Sequence, residues 1–206
     1  MINPLRYQMT EYDCGPTSML NAMSFLFDRE EIPPEIVRNI MLYCLDSYGA
    51  DGGTGKSGTS RMAMMFLSNW LNGFGEAGYL PVSSRYLSGE AVHLRQNSEI
   101  RDALRRGGAA VVRLELEGWH YVLFTGIEGD KVYLFDPYYQ QEPYEEVDIQ
   151  MVWDRPAEYN RVVPADRFER EDESTYAMGP VEAREAVLIF NDRTRLTAED
   201  TIEYMI

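Results

Sequence analysis

The sequence predicts an α+β fold in which an N-terminal helical half packs against a C-terminal antiparallel β-sheet. Up to residue 107, apolar residues recur at the three- and four-residue spacing of amphipathic helices. After residue 108 they instead form short runs rich in Val, Leu, Phe and Tyr, which are typical of strands. Helices followed by strands indicate α+β architecture, and 206 residues are enough for one domain with a sizeable core.

The helical half is predicted to contain four helices. A Gly-Pro pair opens the first and a Pro-Pro pair the second, because proline is well tolerated in the first helical turn. Thr59 or Ser60 can cap the third helix and Ser98 the fourth, since side-chain hydroxyls accept hydrogen bonds from first-turn amides. The spacing places the helices at residues 16–27, 33–48, 61–71 and 98–106.

The sheet half is predicted to begin with three successive strands, at residues 109–116, 119–127 and 131–137. Residues 128–130, Glu-Gly-Asp, form a hairpin signal between the second and third strands. Residues 151–153 and 186–190 are candidates for further strands. Residues 154–180 are acidic, punctuated by proline and weakly patterned, so we interpret them as a long loop or an excursion from the sheet half.

The formal net charge of the chain is −15, and its pI is near 4.5. The resulting field repels phosphate backbones, which argues against nucleic acid as a partner and favours a cationic peptide or a small molecule. The N-terminus has no charged region followed by an apolar one, and no apolar run approaches the length of a membrane span. These features predict a cytoplasmic protein.

The chain contains two cysteines, Cys14 and Cys44, whose sequence contexts have nothing in common. We therefore expect two reduced thiols instead of a structural disulfide. A zinc site normally needs at least one closely spaced pair of ligands, and neither cysteine has a histidine or a second cysteine near it in the sequence. The sequence thus predicts no metal and no cofactor.

Cys14 is the candidate for a reactive group. It stands between Asp13 and Gly15, just ahead of the first predicted helix, and the positive end of a helix stabilises a thiolate. The alternative is a small, inert core cysteine, which is the commoner environment of a cysteine in general. Cys44 lies on the apolar stripe of the second predicted helix, so for it the inert interpretation holds.

His120 and Asp136 can supply a base and the group that orients it. His120 starts an apolar strand and Asp136 ends the next one, and pairing through the intervening turn places Phe124 opposite about Leu134. His120 then lies opposite about Tyr138, which makes Asp136 a diagonal neighbour within side-chain reach. A structural histidine and an Asp-Pro turn are the alternative interpretations. With the cysteine ahead of the first helix, these residues form a nucleophile, base and orienter set.

Three motifs occur in a fixed order along residues 8–137. They are Gln8-x5-Cys14-Gly-Pro-Thr, Gly118-x-His120-Tyr-Val-Leu-Phe-Thr-Gly and Val132-Tyr-Leu-Phe-Asp136-Pro. Their order resembles that of papain-like cysteine peptidases, and more closely that of the bacteriocin-processing, double-glycine peptidase family and its stand-alone relatives. The resemblance implies a papain-like fold and a bacterial cysteine peptidase. Members known for cutting leader peptides are fused to transmembrane export machinery, which this sequence does not show, so leader specificity is not inferred.

The resemblance also implies a role for each matching residue. Cys14 would be the nucleophile, His120 the general base and acid, and Asp136 the residue that orients His120. Gln8 would donate its side-chain N–H to the oxyanion, beside the backbone N–H of Cys14. The alternative for Gln8 is an ordinary solvated polar residue.

Gly118 and Trp119, which directly precede the histidine, are the candidate substrate-binding residues. Relatives of the double-glycine type resemble one another in having narrow pockets that admit glycine or alanine, and Trp119 would narrow such a pocket here. We therefore expect small residues before the scissile bond, and the net charge of −15 separately predicts poor cleavage of acidic peptides. The alternative is that Trp119 is part of the core, since large aromatic residues are as common there.

A competing motif lies in the glycine-rich stretch 49–60. Residues 50–57 fit a loose phosphate-binding pattern, A-x4-G-K-S, and the apolar run that ends in Asp136 resembles one that often holds magnesium. A true phosphate-binding loop follows a buried strand and opens a helix, whereas the segment before residue 49 is helical by its period. We interpret the stretch as a mobile flap on the substrate side of the cleft, not a nucleotide site.

Peptide hydrolysis is the function that the sequence favours. The same residues perform other acyl transfers, so an acyltransferase or amide hydrolase acting on a small amide or thioester is the alternative among enzymes. A non-catalytic peptide-binding module is the alternative outside enzymes, because a fold does not fix a function.

Overall fold

The structure of the chain is a computed structural model, which describes residues 3–48, 53 and 55–197. Within these residues the helices are α1 (Cys14–Leu26), α2 (Pro34–Cys44), α3 (Arg61–Glu76), α4 (Glu99–Arg105) and α5 (Ala165–Phe168). The strands are β1 (Val82–Ser88), β2 (Ala109–Glu115), β3 (Trp119–Glu128), β4 (Lys131–Phe135), β5 (Gln150–Met151), β6 (Arg161–Pro164) and β7 (Glu185–Asn191). No helix in the described part of the chain is long and apolar enough to cross a lipid bilayer.

The strands of the described residues form one antiparallel sheet in the order β1-β7-β2-β3-β4-β6-β5. The predicted hairpin is confirmed, since β3 and β4 are joined by a two-residue turn and Phe124 lies opposite Leu134. A bulge between Phe124 and Gly126 shifts the register on the turn side only. The α+β fold, with helices packed on an antiparallel sheet, is therefore the fold that the sequence predicts.

Both faces of the sheet are covered, which explains why its central strands are apolar at successive positions. α1, α2 and α3 pack on one face, in one cluster with Ala109 and Val111 of β2. α4 and α5 pack on the opposite face, in one cluster with Ala110 and Val112. Because neighbouring side chains of a strand point to opposite faces, β2 carries apolar residues at the four successive positions 109–112. α4, which was grouped with the helical half, thus lies across the sheet from the first three helices.

β1 is a strand that the sequence analysis did not predict. Its sequence, Val-Ser-Ser-Arg-Tyr-Leu-Ser, is too polar to give a strand signal, and it forms one edge of the sheet beside β7. The side chain of Asn72 in α3 satisfies the backbone of Ser84, accepting from its N–H at 2.6 Å and donating to its carbonyl at 2.7 Å. α3 accordingly continues to Glu76, five residues beyond the expected end, while α2 stops at Cys44, four residues early.

Residues 154–180 do not form the long loop that the sequence suggested. They contain β6 and α5, and the segment that follows α5 buries Tyr176, Ala177 and Met178. Arg167 of α5 is buried because its guanidinium donates to both carboxylate oxygens of Asp148, at 2.5 and 2.8 Å. Structure held by paired charges has no hydrophobic period, so the sequence analysis could not detect it.

The stretch 49–60 is only partly described, because residues 49–52 and 54 lie outside the described residues. Ser60 caps α3, and its hydroxyl accepts a hydrogen bond from the N–H of Ala63 at 3.1 Å. The regular element before the stretch is α2, a helix, and α3 begins at Arg61, four residues after the Gly-Lys-Ser run ends at Ser57. This arrangement is not the strand, loop and helix of a phosphate-binding motif. Whether the stretch acts as a flap stays a prediction.

Gly75, near the end of α3, touches the backbone of β1. A Cβ on Gly75 would lie 2.0 Å from the carbonyl oxygen of Val82, whereas a Cβ on Gly73 would meet no atom within 4 Å. We expect Gly75→Ala to destabilise the protein by about 1–3 kcal/mol, because α3 must move away from β1. Gly73→Ala is the matched control and should stabilise it by about 0.5–1 kcal/mol through helix propensity. Thermal unfolding of both variants checks this, and equal effects would contradict the close packing of α3 on β1.

Candidate active site

α1 begins at Cys14, two residues before its predicted start, with Asp13 at the N-cap position. The carboxylate of Asp13 is buried and accepts hydrogen bonds from the backbone N–H of Met9 at 3.0 Å and of Thr10 at 2.6 Å. Burial acts to raise the pKa of Asp13, but the hydrogen bonds from Thr10 and Met9 hold it below its usual value. The turn ahead of α1 is thus closed by an ionised side chain, and Cys14 lies at the positive end of the helix.

Two contacts fix the start of α1 in place. The hydroxyl of Ser18, one turn along the helix from Cys14, donates to the carbonyl of Tyr121 at 2.9 Å. On the other side, a Cβ on Gly15 would lie 2.2 Å from the hydroxyl oxygen of Thr59, so a side chain there would push α1 off the segment before α3. Because Tyr121 follows His120 in β3, the first contact sets the cysteine against the histidine.

His120 and Asp136 form a buried pair. The Nε2 atom of His120 lies 2.7 Å from Oδ1 of Asp136, and both side chains are buried, Asp136 completely. The thiol of Cys14 lies within electrostatic reach of the same imidazole, whose Nδ1 atom is the nitrogen not bonded to Asp136. The structure therefore brings together the three residues that the sequence analysis named, and Asp136 is the diagonal neighbour that the strand register predicts.

The charges of this pair support one another. Burial alone would lower the pKa of His120, but the charge and hydrogen bond of Asp136, and after them the contact with Cys14, raise it to about 10. Burial would raise the pKa of Asp136, but the imidazolium and the hydrogen bonds to the carboxylate lower it. At neutral pH the site therefore holds an imidazolium and a carboxylate.

The sign of each shift defines the pH window in which the pair stabilises the fold. The pKa of His120 is raised, so its contribution is complete below the ordinary value of 6.5 and is lost as the pH rises through about 10. The pKa of Asp136 is lowered, so its contribution is present above the ordinary value of 3.8 and is lost as the pH falls below it.

Gln8 joins the N-terminal segment to the end of the hairpin. Its backbone N–H donates to the carbonyl of Pro137 at 2.8 Å, directly after Asp136. Its side-chain Nε2 donates one hydrogen to the carbonyl of Thr10 at 2.8 Å, which leaves the second hydrogen free. Gln8 lines the same cleft as Cys14.

The cleft that contains Cys14 and His120 has a volume of about 650 Å³ and an acidic lining. Five glutamates line it: Glu11, Glu117, Glu145, Glu146 and Glu173. No lysine or arginine lines the cleft in the described part of the chain. The described residues also contain no group of three or more side chains placed to hold a metal ion. The cleft thus offers a cationic ligand five carboxylates in the neighbourhood of the Cys14 thiol.

Gly118 and Trp119 both line this cleft, as the sequence analysis expected. The indole of Trp119 is 45% exposed, so it is not part of the core. The guanidinium of Arg113 lies 4.3 Å from the centre of the indole, and a Cβ on Gly179 would come within 2.8 Å of its Cη2 atom. The ring is therefore held in place between two neighbours at the wall of the cleft.

The sequence analysis missed the groups that surround Asp136. The hydroxyl of Tyr176 donates to Oδ2 of Asp136 at 2.6 Å, and the backbone N–H of Tyr138 donates to Oδ1 at 2.8 Å. Asn160 accepts from the N–H of Asp136 at 2.7 Å and donates to its carbonyl at 2.8 Å. Tyr176 and Asn160 lie in the stretch after residue 140 that matched no motif, so no signal in the sequence pointed to them.

A family model matches most of the chain. The model, described as Peptidase_C39 like family, matches residues 3–161, a span that contains Gln8, Cys14, His120 and Asp136. A search of curated proteins finds no match. A solved structure, described as the crystal structure of a double glycine motif protease from AMS/PCAT transporter in complex with the leader peptide, is similar at 13% sequence identity and a TM-score of 0.41. The similarity covers 91% of this chain and 89% of that one.

We expect iodoacetamide to label Cys14 of the folded protein faster than Cys44 at neutral pH. Cys14 lines the cleft beside an imidazolium, whereas burial and the charge of Asp46 raise the pKa of the Cys44 thiol well above its usual value. Mass spectrometry of digests gives both rates, and His120→Ala should slow the labelling of Cys14 without affecting Cys44. The unfolded protein is the control, in which the two rates should converge. Equal or slower labelling of Cys14 in the folded protein would count against an activated nucleophile.

Proposed function

This chain belongs to the peptidase C39-like family of papain-like cysteine peptidases, and we propose that it hydrolyses peptide bonds with Cys14 as nucleophile. The observation that carries the proposal is the buried pair of His120 and Asp136, with Nε2 and Oδ1 2.7 Å apart, in the same cleft as the cysteine at the start of α1. A thiol with an imidazolium on one side and an open cleft on the other is the arrangement that nucleophilic catalysis requires.

The proposed reaction proceeds in two steps. The thiolate of Cys14 attacks the carbonyl carbon of the scissile bond, and His120 gives its Nδ1 proton to the leaving amine, which leaves a thioester on the enzyme. His120, now neutral, takes a proton from water as the water oxygen attacks the thioester, which releases the carboxylic acid and restores the thiolate of Cys14 and the imidazolium of His120. Asp136 stays ionised throughout and keeps the imidazole ring and its Nε2 proton in place.

Gln8 is the proposed donor to the oxyanion. Its second amide hydrogen is not used by Thr10, and the backbone N–H of Cys14 belongs to the first turn of α1, whose amides have no partner within the helix. Both donors lie along the wall of the cleft that holds the nucleophile. Donors fixed before the reaction stabilise the developing negative charge without having to reorganise.

The proposed substrate is a peptide with small residues before the scissile bond and cationic residues near it. The fixed indole of Trp119 narrows the cleft beside His120. The five glutamates of the cleft attract lysine and arginine and repel acidic side chains, in addition to the effect of the whole protein's charge of −15. Experiment distinguishes this proposal from three alternatives, which are an acyltransferase, a small-molecule amide hydrolase and a non-catalytic binding module.

We expect wild-type protein to cleave members of a peptide library, and Cys14→Ala to lose roughly 10⁴- to 10⁶-fold in kcat because the nucleophile is gone. Mass spectrometry of the products identifies the bonds cut, which should follow glycine or alanine. If cleavage requires Cys14 but occurs after bulky residues, the proposed specificity is wrong and the proposed mechanism stands. Turnover of a small thioester or amide but of no peptide would favour the acyltransferase, and binding without turnover would favour the binding module.

We expect a peptide with lysine beside the scissile bond to be cleaved with about tenfold higher kcat/KM at low salt than the same peptide with glutamate. The preference should shrink with added salt, which screens the carboxylates. The double variant Glu117→Gln/Glu145→Gln should reduce it, whereas Glu35→Gln/Glu76→Gln, with the same change in net charge on exposed sites outside the cleft, should not. An equal effect of the two double variants would assign the preference to the whole protein's field instead of the cleft.

A further inference from the structure

Asp136 needs a donor on the side that faces away from His120. Its Oδ1 atom accepts from His120 and from the N–H of Tyr138, while the hydroxyl of Tyr176 binds Oδ2 at 2.6 Å. A fully buried carboxylate oxygen without a donor costs free energy, and a hydrogen bond to a charged group is stronger than one between neutral groups. Tyr176 therefore completes the hydrogen bonding of the carboxylate.

Tyr176 is held rigidly for this contact. Its side chain is fully buried, and its backbone has a φ of +67°, which a residue other than glycine adopts only when its surroundings enforce it. Its N–H donates to the carbonyl of Glu115 at 2.8 Å, and its ring stacks on Phe168 with 6.4 Å between the ring centres. Burial and the charge of Asp136 raise the pKa of Tyr176, so the hydroxyl remains a donor at working pH.

Two further groups lie behind Tyr176. Its hydroxyl gives its hydrogen to Asp136, so the hydroxyl of Tyr144, 3.1 Å away, is the donor between the two tyrosines. The fully buried guanidinium of Arg161 lies 5.6 Å from the centre of the Tyr144 ring. Arg161 forms no ion pair among the described residues, and Asp136 is the carboxylate whose charge acts on it.

The hydroxyl of Tyr176 and the charge of Arg161 matter because His120 loses its proton during the proposed reaction. When the imidazole gives its proton away, the carboxylate of Asp136 loses its nearest positive charge and would become easier to protonate. The hydroxyl of Tyr176 and the charge of Arg161 do not change during that step. They stabilise the carboxylate while the histidine is neutral.

We propose that Tyr176 is a positioning residue of the catalytic centre, which with Tyr144 and Arg161 holds Asp136 ionised and directed at His120. This inference rests on the proposed function, since it assigns Asp136 its role in orienting the base. It extends the centre beyond residue 161, where the family model stops matching. Tyr144 also lines the cleft, so the same hydrogen-bond chain connects Asp136 with the wall that contacts substrate.

The test is the pH dependence of Cys14 alkylation by iodoacetamide, and of peptide kcat and KM, in Tyr176→Phe. Loss of the hydroxyl makes the carboxylate of Asp136 easier to protonate, so the acid limb of the alkylation profile should move up by roughly one to two pH units. Peptide kcat should fall about tenfold or more, with little change in KM. Tyr133→Phe is the matched control, because Tyr133 donates to the carboxylate of Glu128 at 2.8 Å outside the cleft, and its profile should match wild type.

An unmoved acid limb, or an equal loss of rate at every pH, would overturn the proposal and leave Tyr176 a structural residue. In a protein that already carries Asp136→Asn, Tyr176→Phe should not lower peptide kcat further. Additive losses of kcat in the double variant would also overturn the proposal. If Tyr176→Phe does not fold, Tyr144→Phe tests the proposal instead. The acid limb of its alkylation profile should move in the same direction by a smaller amount, and an unmoved limb would refute the proposal. Because alkylation needs no turnover, a shifted limb without peptide cleavage would refute the proposed function alone.

Discussion

The buried pair of His120 and Asp136 is the interaction on which the rest of the structure depends. Two opposite charges removed from water are tolerated only where each is hydrogen-bonded on its remaining sides, and a missing partner costs more than the pair itself contributes. The carboxylate of Asp136 accepts hydrogen bonds from the N–H of Tyr138 and the hydroxyl of Tyr176, and Asn160 holds the backbone of Asp136 in place. The three residues belong to three separate parts of the chain. The hairpin, the turn before β6 and the segment after α5 must therefore all be in place for the pair to persist.

The nucleophile reaches this pair from the other side of the sheet. His120 follows the alternation of Val122 and Phe124 and lies on the face covered by α4 and α5, whereas Cys14 belongs to the cluster of α1, α2 and α3. Groups from opposite faces can meet only where the sheet ends, which is why the reactive residues stand at the start of β3 and the start of α1. The hydrogen bond from Ser18 to the carbonyl of Tyr121 fixes the helix at that edge.

Local patterns were sufficient to predict the parts of the site that lie next to regular elements. Cys14 precedes an amphipathic run and Asp136 ends the second strand of a hairpin, so helical periodicity and the turn signal were enough to locate both residues. Gln8 was identified from the motif resemblance. Tyr176 could not be found in this way, because its contact with Asp136 spans 40 residues and its segment is held by buried arginines instead of an apolar stripe. β1 was missed for a related reason, since a polar edge strand is held by a side chain of α3 and carries no alternation of its own.

The strand order explains why the C-terminal part of the chain takes part in the site. β6 pairs with β4 toward one edge of the sheet, whereas β7 is inserted between β1 and β2, so the connection between β6 and β7 must cross the sheet. It crosses on the face covered by α4 and α5, and there Tyr176 and Ala177 bond to the backbone of Glu115 at the end of β2. The crossing passes the buried carboxylate of Asp136 and provides its last donor. The segment that leads to β7 thus also completes the hydrogen bonds to Asp136, so the strand order of the sheet and the proposed catalytic pair depend on the same part of the chain.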